Sequence, residues 1–241
     1  MKATLLIARR ELGAYFRTMS GYIMAALLLL FDGVALNAYA MGGGEMLSAD
    51  VVARFFEVSF GTTAVASVFI SMRLIAEERQ TGTLVLLSSS PIHDWQIVVG
   101  KFLSALAFLA IVKLVGIYMP ALIMVNGKVS VGHLFAGYVG VLLVGSATLA
   151  IGVFGSALAR TQVLAAIFSG LMVAVLVLSH LLSRVTDRPL KDFFMALALY
   201  ARHFPPFQMG VINVRDVAYY LALTYVALFG AVRVMEARRW R

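Results

Sequence analysis

Few side chains in this sequence could do chemistry, and their surroundings exclude most of the obvious kinds. With no cysteine there is no disulfide, thiolate metal site or cysteine nucleophile. His93, His133, His180 and His203 are scattered, without the short spacings that build a metal site. The twelve methionines form no Met-x-x-Met cluster beside a histidine and read as adaptable packing. Ser88-Ser89-Ser90 is a loop cluster without a base to activate it. Gly100-Lys101 is followed by Phe102 rather than Ser or Thr, so the phosphate-cradling loop is missing, and any nucleotide must be bound by another chain. Three features remain: Asp32 and Lys113, each set in a long apolar run, and the dense cluster Glu77-Glu78-Arg79 ahead of Gly82. A lone charge at mid-bilayer costs about 3 kcal/mol or more, so Asp32 and Lys113 should face protein or water. Either they approach each other or line a cavity, or Lys113 reaches outward near Tyr118 and Pro120 while Asp32 accepts local hydrogen bonds.

The elements that must hold these residues follow from composition. Of 241 residues, 61% are apolar and 13% charged, against roughly 45–50% and 25% in a soluble domain. Such a chain cannot cover a water-facing surface and belongs in a membrane. At ~20 residues per crossing, six spans leave no room for a large soluble domain, and apolar runs this long exclude a transmembrane barrel. The expectation is an all-α polytopic protein forming one domain over residues 1–241, with spans near 20–41, 57–76, 95–119, 134–158, 163–182 and 217–235. Gly42-Gly43-Gly44, Asn126-Gly127 and Arg160-Thr161-Gln162 mark turns, and Pro189, Pro205 and Pro206 mark a longer connection over 183–216. No long-period repeat is present. Residues 1–19 are interrupted by Arg9, Arg10 and Glu11 and lack the form of a cleaved signal. Leu5, Ala8, Leu12, Tyr15, Phe16 and Met19 share a stripe that suits a retained amphipathic helix in the headgroup layer, or else a short basic flank orienting the first span. Gly145, Gly152 and Ala159 recur every seven residues, and Gly100 precedes Ser104 by four, as helix-packing faces do.

Orientation comes from the basic residues. With both termini inside, twelve lie on the inner side: Lys2, Arg9, Arg10, Arg17, Arg73, Arg79, Lys101, Arg160, Arg233, Arg238, Arg239 and Arg241. Seven lie outside: Arg54, Lys128, Arg184, Arg188, Lys191, Arg202 and Arg215. Five of those seven fall in the 183–216 connection, against the rule. The net charge of +8 therefore sits mostly where anionic headgroups are, and a nucleic-acid partner is unnecessary.

The loop after the second span is the most informative segment. Gly82 permits a sharp redirection, Thr81 or Thr83 can cap a short helix carrying Leu84 and Leu87 on one face, and Pro91 closes it. A rigid helix of one or two turns between two spans is built to receive a push; the alternative is an ordinary interfacial loop. The run Glu77-Glu78-Arg79, Thr81-Gly82-Thr83-Leu84, Leu87 and Ser90-Pro91 resembles the signature of type-2 ABC exporter permeases. Three longer stretches are similar to the gliding-motility-type branch, with nitrous-oxide-reductase maturation permeases as relatives. They are Met72–Pro91 running on to Val99-Gly100-Lys101-Phe102; Arg10-Glu11-Leu12 with Tyr15-Phe16 and Gly21-Tyr22-Ile23; and His203-Phe204, Phe207, Gly210-Val211-Ile212, Arg215-Asp216 and Tyr219-Tyr220-Leu221. Val85 stands where an acidic residue is common, and Pro205-Pro206 replace the usual polar pair.

The resemblance implies an N-terminal interfacial helix, a cytoplasmic coupling helix within 77–91, and short re-entrant or interfacial helices over Asp192–Phe204. It implies a separate ATPase dimer, binding ATP and Mg itself, that docks on Glu77, Glu78, Arg79, Thr81, Gly82, Thr83, Leu84, Leu87, Ser88 and Pro91. It further implies a second permease copy or similar permease, an accessory subunit with an external domain, and an external loop built on His203, Phe204, Phe207, Gly210, Arg215 and Asp216. The location it implies is the bacterial inner membrane, with no cofactor in this chain. The competing expectation is a non-transporting scaffold passing ATPase-driven force in a motility or maturation complex. An intramembrane enzyme would need paired His/Glu or Ser/His residues on facing spans, which are not apparent.

Overall fold

The computed structural model describes residues 2–40, 47–82, 92–127 and 129–239. Those residues form eleven helices and no strand: α1 (Lys2–Arg17), α2 (Met19–Ala40), α3 (Ser48–Ser71), α4 (Ala76–Gln80), α5 (Asp94–Val115), α6 (Tyr118–Asn126), α7 (Val131–Leu158), α8 (Gln162–Val185), α9 (Leu190–Leu197), α10 (Pro205–Gln208) and α11 (Val214–Arg239). Six segments are long and apolar enough to cross a membrane: 19–38, 48–80, 94–124, 131–158, 162–185 and 214–237.

Most boundaries move outward from the sequence expectation, each for a local reason. The second span begins at Ser48 rather than 57, because Asp50, Arg54 and Glu57 occupy its first turns and dilute the apolar signal. In the third span α5 stops at Val115, and a separate α6 follows, with Pro120 in its first turn, where its missing N–H leaves no hydrogen bond unmade. The Ser130 hydroxyl accepts from the His133 N–H at 3.2 Å and starts α7 at 131; the Thr161 hydroxyl does the same for α8 through Leu164, at 3.4 Å. Where short helices are expected over 192–204, α9 covers the first part, an irregular stretch with Ala198 extended follows, and α10 opens on Pro205-Pro206.

The centre of the bundle is α7, which packs against α11, α3, α8 and α5. A Cβ at Gly145 would overlap Leu109, and one at Gly152 would overlap Ser71, so the expected small-residue stripe is where α5 and α3 come close. Two apolar cores divide the bundle along its length. One holds Ile70, Leu74, Ile75, Phe102, Phe108, Leu149 and Val153; the other holds Phe55, Phe56, Phe60, Tyr138, Leu199, Phe204, Phe207 and Tyr220. We refer to these as the elbow end and the far end. Exposed apolar rows run along α2 (Leu27, Leu30, Phe31, Val34), α8 (Val163, Ile167, Leu171, Val175) and α11 (Leu221, Tyr225, Phe229), as lipid contact requires.

The first helix packs along α5. The face turned inward is Thr4, Ile7, Ala8, Glu11, Leu12 and Tyr15, and Ile7 meets Gly100 closely. Leu5 and Met19, placed on the apolar stripe by periodicity, are 70% and 82% exposed. The stripe therefore divides: Ala8, Leu12 and Tyr15 turn to the bundle, while Leu5 and Met19 stay open on the outer side of the helix.

Candidate functional site

After Ser71 the chain turns and forms the five-residue α4. One side chain of α7 holds this turn. The Ser156 Oγ accepts from the N–H groups of Ile75 (3.1 Å) and Ala76 (3.0 Å) and donates to the Met72 carbonyl at 3.2 Å. Three backbone groups that would be buried without partners are satisfied by a single hydroxyl. Arg79 donates to the carbonyls of Ala157, at 3.1 Å, and of Ala159, so its guanidinium caps the C-terminus of α7, where the helix dipole favours a cation.

Charges complete the attachment. Arg73 grips Glu77 with two hydrogen bonds, at 2.9 and 3.1 Å, and donates to Ser20 in the first turn of α2. Glu78 lies 2.8 Å from the Lys101 ammonium, and Glu11 of α1 lies 3.6 Å from it. Lys101 is 2% exposed, with Arg10 closing on Glu11 from outside at 2.9 Å. A buried cation needs such company, since leaving it unpaired costs several kcal/mol. A cleft of about 320 Å³ separates α1 from the elbow, lined in part by Glu11, Tyr15, Ser20, Arg73, Glu77 and Lys101. The Tyr15 ring stacks on Phe108 at 4.7 Å, and burial, with the nearby Glu11 charge, pushes its hydroxyl above the usual tyrosine range.

The expected docking residues therefore divide. Glu77, Glu78 and Arg79 lie together on α4, and each has a partner within the chain. The Thr81 hydroxyl donates back to the Glu77 carbonyl at 3.0 Å, finishing α4. Gly82 has φ 75°, a left-handed conformation that favours glycine. Thr83, Leu84, Leu87, Ser88 and Pro91 lie outside the described residues.

Of the alternatives for the intramembrane charges, the structure contains the pair. The Lys113 ammonium is 2.7 Å from an Asp32 oxygen and also donates to Ser59 (2.9 Å) and Thr62 (3.4 Å), while Thr62 donates to the other Asp32 oxygen at 2.8 Å. Lys113 is 2% exposed and does not reach outward. At the far end, His203 Nδ1 is 2.7 Å from Asp216, its ring stacks on Tyr219 at 3.9 Å, and its Nε2 faces the Ala196 carbonyl at 3.2 Å. Phe204 and Phe207 are buried in the far-end core, Gly210 turns the chain at φ 81°, and Arg215 opens α11 on the surface. Among the described residues, no three metal-type ligands converge.

Sequence reasoning missed Lys101 as a buried partner, Ser156 as the clasp of the turn, and His133, which meets the Gln208 carbonyl. The one available signal was for Lys101, a basic residue about two turns inside an apolar helix. Ser156 had none, being one small residue among many on α7.

A family model described as ABC-2 family transporter protein matches residues 5–209, from the first helix through the far-end turn, with only α11 beyond it. No curated protein matches the chain.

Proposed function

The chain belongs to the ABC-2 transporter family and is a membrane permease component of an ATP-binding-cassette system, and from that premise we propose that it is the permease subunit of an exporter driven through its elbow. A separate ATPase pair, carrying ATP and Mg, docks on the segment that begins at Gly82 and includes Thr83, Leu84, Leu87, Ser88 and Pro91. The elbow end is then cytosolic, with both chain termini on that side of a bacterial inner membrane. A second copy, or a similar permease, completes the path, and an accessory subunit with an external domain fits the small outer surface. On its three matching stretches, the branch is the gliding-motility type.

The observation that carries this reading is how α4 is fastened. A push arriving at Gly82 meets a helix tied to α7 through Ser156 and Arg79, to α5 and α1 through Glu78, Lys101 and Glu11, and to α2 through Arg73. A loosely held loop would bend and dissipate the displacement. An elbow fixed to four helices passes it to several spans at once, which reorienting a permease demands. In this scheme Glu77, Glu78 and Arg79 hold the elbow to the bundle, and the chain beyond Gly82 makes the hydrophobic contact with the ATPase.

Two variants of the reconstituted complex test it. Proline cannot adopt φ 75°, so Gly82→Pro changes how the contact segment leaves α4. Glu78→Lys sets two ammonium groups face to face at the elbow. Both should insert and assemble yet lose most transport-linked ATP turnover. Normal coupled turnover in both variants overturns the proposal. ATP-dependent movement of a compound into proteoliposomes separates an exporter from a force-transmitting scaffold.

A further inference from the structure

At the far end the charge pattern runs against expectation. Residues 183–216 carry Arg184, Arg188, Lys191, Arg202 and Arg215 against Asp187, Asp192 and Asp216, on the side where basic residues are ordinarily scarce. An excess of that kind needs a reason, and its two C-terminal members suggest one. Arg202, in the stretch between α9 and α10, and Arg215, in the first turn of α11, line one open cleft of about 410 Å³ together with Pro206, Asn213, Val214 and Asp216.

The two arginines come from separate elements, so no helical register forces them together. Neither forms an ion pair among the described residues. The carboxylate in the cleft is already engaged: Asp216 is 5% exposed and bonded to His203. Asp192 closes on Arg188 at 3.8 Å. Two guanidinium groups on one cleft repel each other unless an anion lies between them. Their planar forks match tetrahedral oxyanions, with two N–H groups to two oxygens, and the Asn213 amide adds a further donor to the same wall. The surroundings narrow the class. Val214, which lines the cleft, is exposed, as are Met209, Val211 and Ile212 in the chain just before it, and the apolar segment long enough to span begins at Val214. Cations beside a bare apolar shelf, where a span begins, match the cross-section of a phosphate headgroup above its acyl chains.

We propose that this cleft binds a phosphate group at the outer membrane surface, gripped between Arg202 and Arg215 with Asn213 as an additional donor. The phosphate belongs to a phospholipid headgroup or is free in solution; the recognition chemistry is the same. Its placement on the outer side rests on the proposed orientation, while the binding itself is measured without nucleotide and so succeeds or fails apart from how an ATPase docks.

The test uses the full chain with its ATPase partner in phosphatidylcholine nanodiscs, titrated with pyrene-labelled phosphatidylglycerol and, separately, with inorganic phosphate as competitor. Arg202→Gln and Arg215→Gln are compared with the paired control Arg184→Gln/Arg188→Gln, which removes the same charge from the same connection. Each cleft substitution should weaken phosphatidylglycerol binding about tenfold, as expected for the loss of one charge-assisted fork, with the control pair changing it less than about twofold. Displacement of the labelled lipid by millimolar phosphate assigns the cleft to the free ion; its absence assigns the lipid headgroup. Asn213→Ala, which leaves the charge untouched, should weaken binding to a smaller extent and serves if an arginine variant fails to assemble. Affinity for both probes equal to that of the control pair in every cleft variant overturns the proposal, whatever the outcome at the elbow.

Discussion

Lys113 and Asp32 show what a single ionisable residue demands inside a membrane. Each is almost fully buried, and each is satisfied only because the other, with Ser59 and Thr62, supplies hydrogen bonds from three different spans. A buried pair of this kind contributes little net stability, while breaking it exposes the cost of the orphaned charge. Lys113→Met should therefore lower stability by about 3–5 kcal/mol, read as the melting midpoint of the purified protein in detergent. Adding Asp32→Asn should recover most of that loss, because the remaining amide keeps Ser59 and Thr62 as partners. A double variant no better than the single would mean that the two groups do not act as a pair. If the double variant is stable and transport-competent, the pair serves packing; if stable and inactive, the charges themselves are used. The sequence placed both residues in spans and made them costly. It could not say which neighbour met them, because Asp32 and Lys113 are 81 positions apart and only the folded bundle brings them together.

Elements differ in how openly the sequence displays them. The six spans are legible because long apolar runs have no other stable home, and their errors fall at the ends, where charged first turns, as in α3, hide helix within polar sequence. The elbow is legible as a place, through its charge density and Gly82, but not as a mechanism. The resemblance implies Glu78 as a docking group, and the sequence shows no sign of its ion pair with Lys101, a residue of another helix. Likewise apolar spacing displays a stripe on α1 but not the contacts of Glu11 with Lys101 and of Ile7 with Gly100, which belong to another helix. If that tie holds the elbow to the bundle, Glu78 and Lys101 must be energetically coupled. A double-mutant cycle between Glu78→Gln and Lys101→Met, scored by thermal stability, should give a coupling of about 1–3 kcal/mol. Lys101→Met should also free α1, seen as faster proteolysis near Arg9 and Arg10. Additive effects on stability with unchanged cleavage would detach α4 from α1 and remove the route by which a push reaches the N-terminal helix.

At the scale of the whole molecule, orientation is the property on which the rest depends, and the two poles differ in kind. At the elbow end, much of the positive charge is consumed internally: Lys101 between Glu78 and Glu11, Arg73 by Glu77, Arg79 by the end of α7. At the far end Arg202 and Arg215 stand beside a cleft. A simple count of basic residues therefore understates the contrast, because paired charges anchor the protein to itself, and those with no ion pair among the described residues answer to what lies outside. The absence of cysteine from the sequence makes the orientation directly measurable, since a single introduced thiol has no native background. Arg160, in the tight turn joining α7 to α8, is exposed at the elbow end, and Asp187, after α8, is exposed at the far end. In intact cells an impermeant maleimide should label Asp187→Cys and spare Arg160→Cys until the membrane is opened, after which both should react. Labelling of Arg160→Cys in intact cells would turn the molecule over, place the elbow beyond the reach of a cytosolic ATPase, and put the arginine cleft on the inner surface, where basic residues need no special explanation.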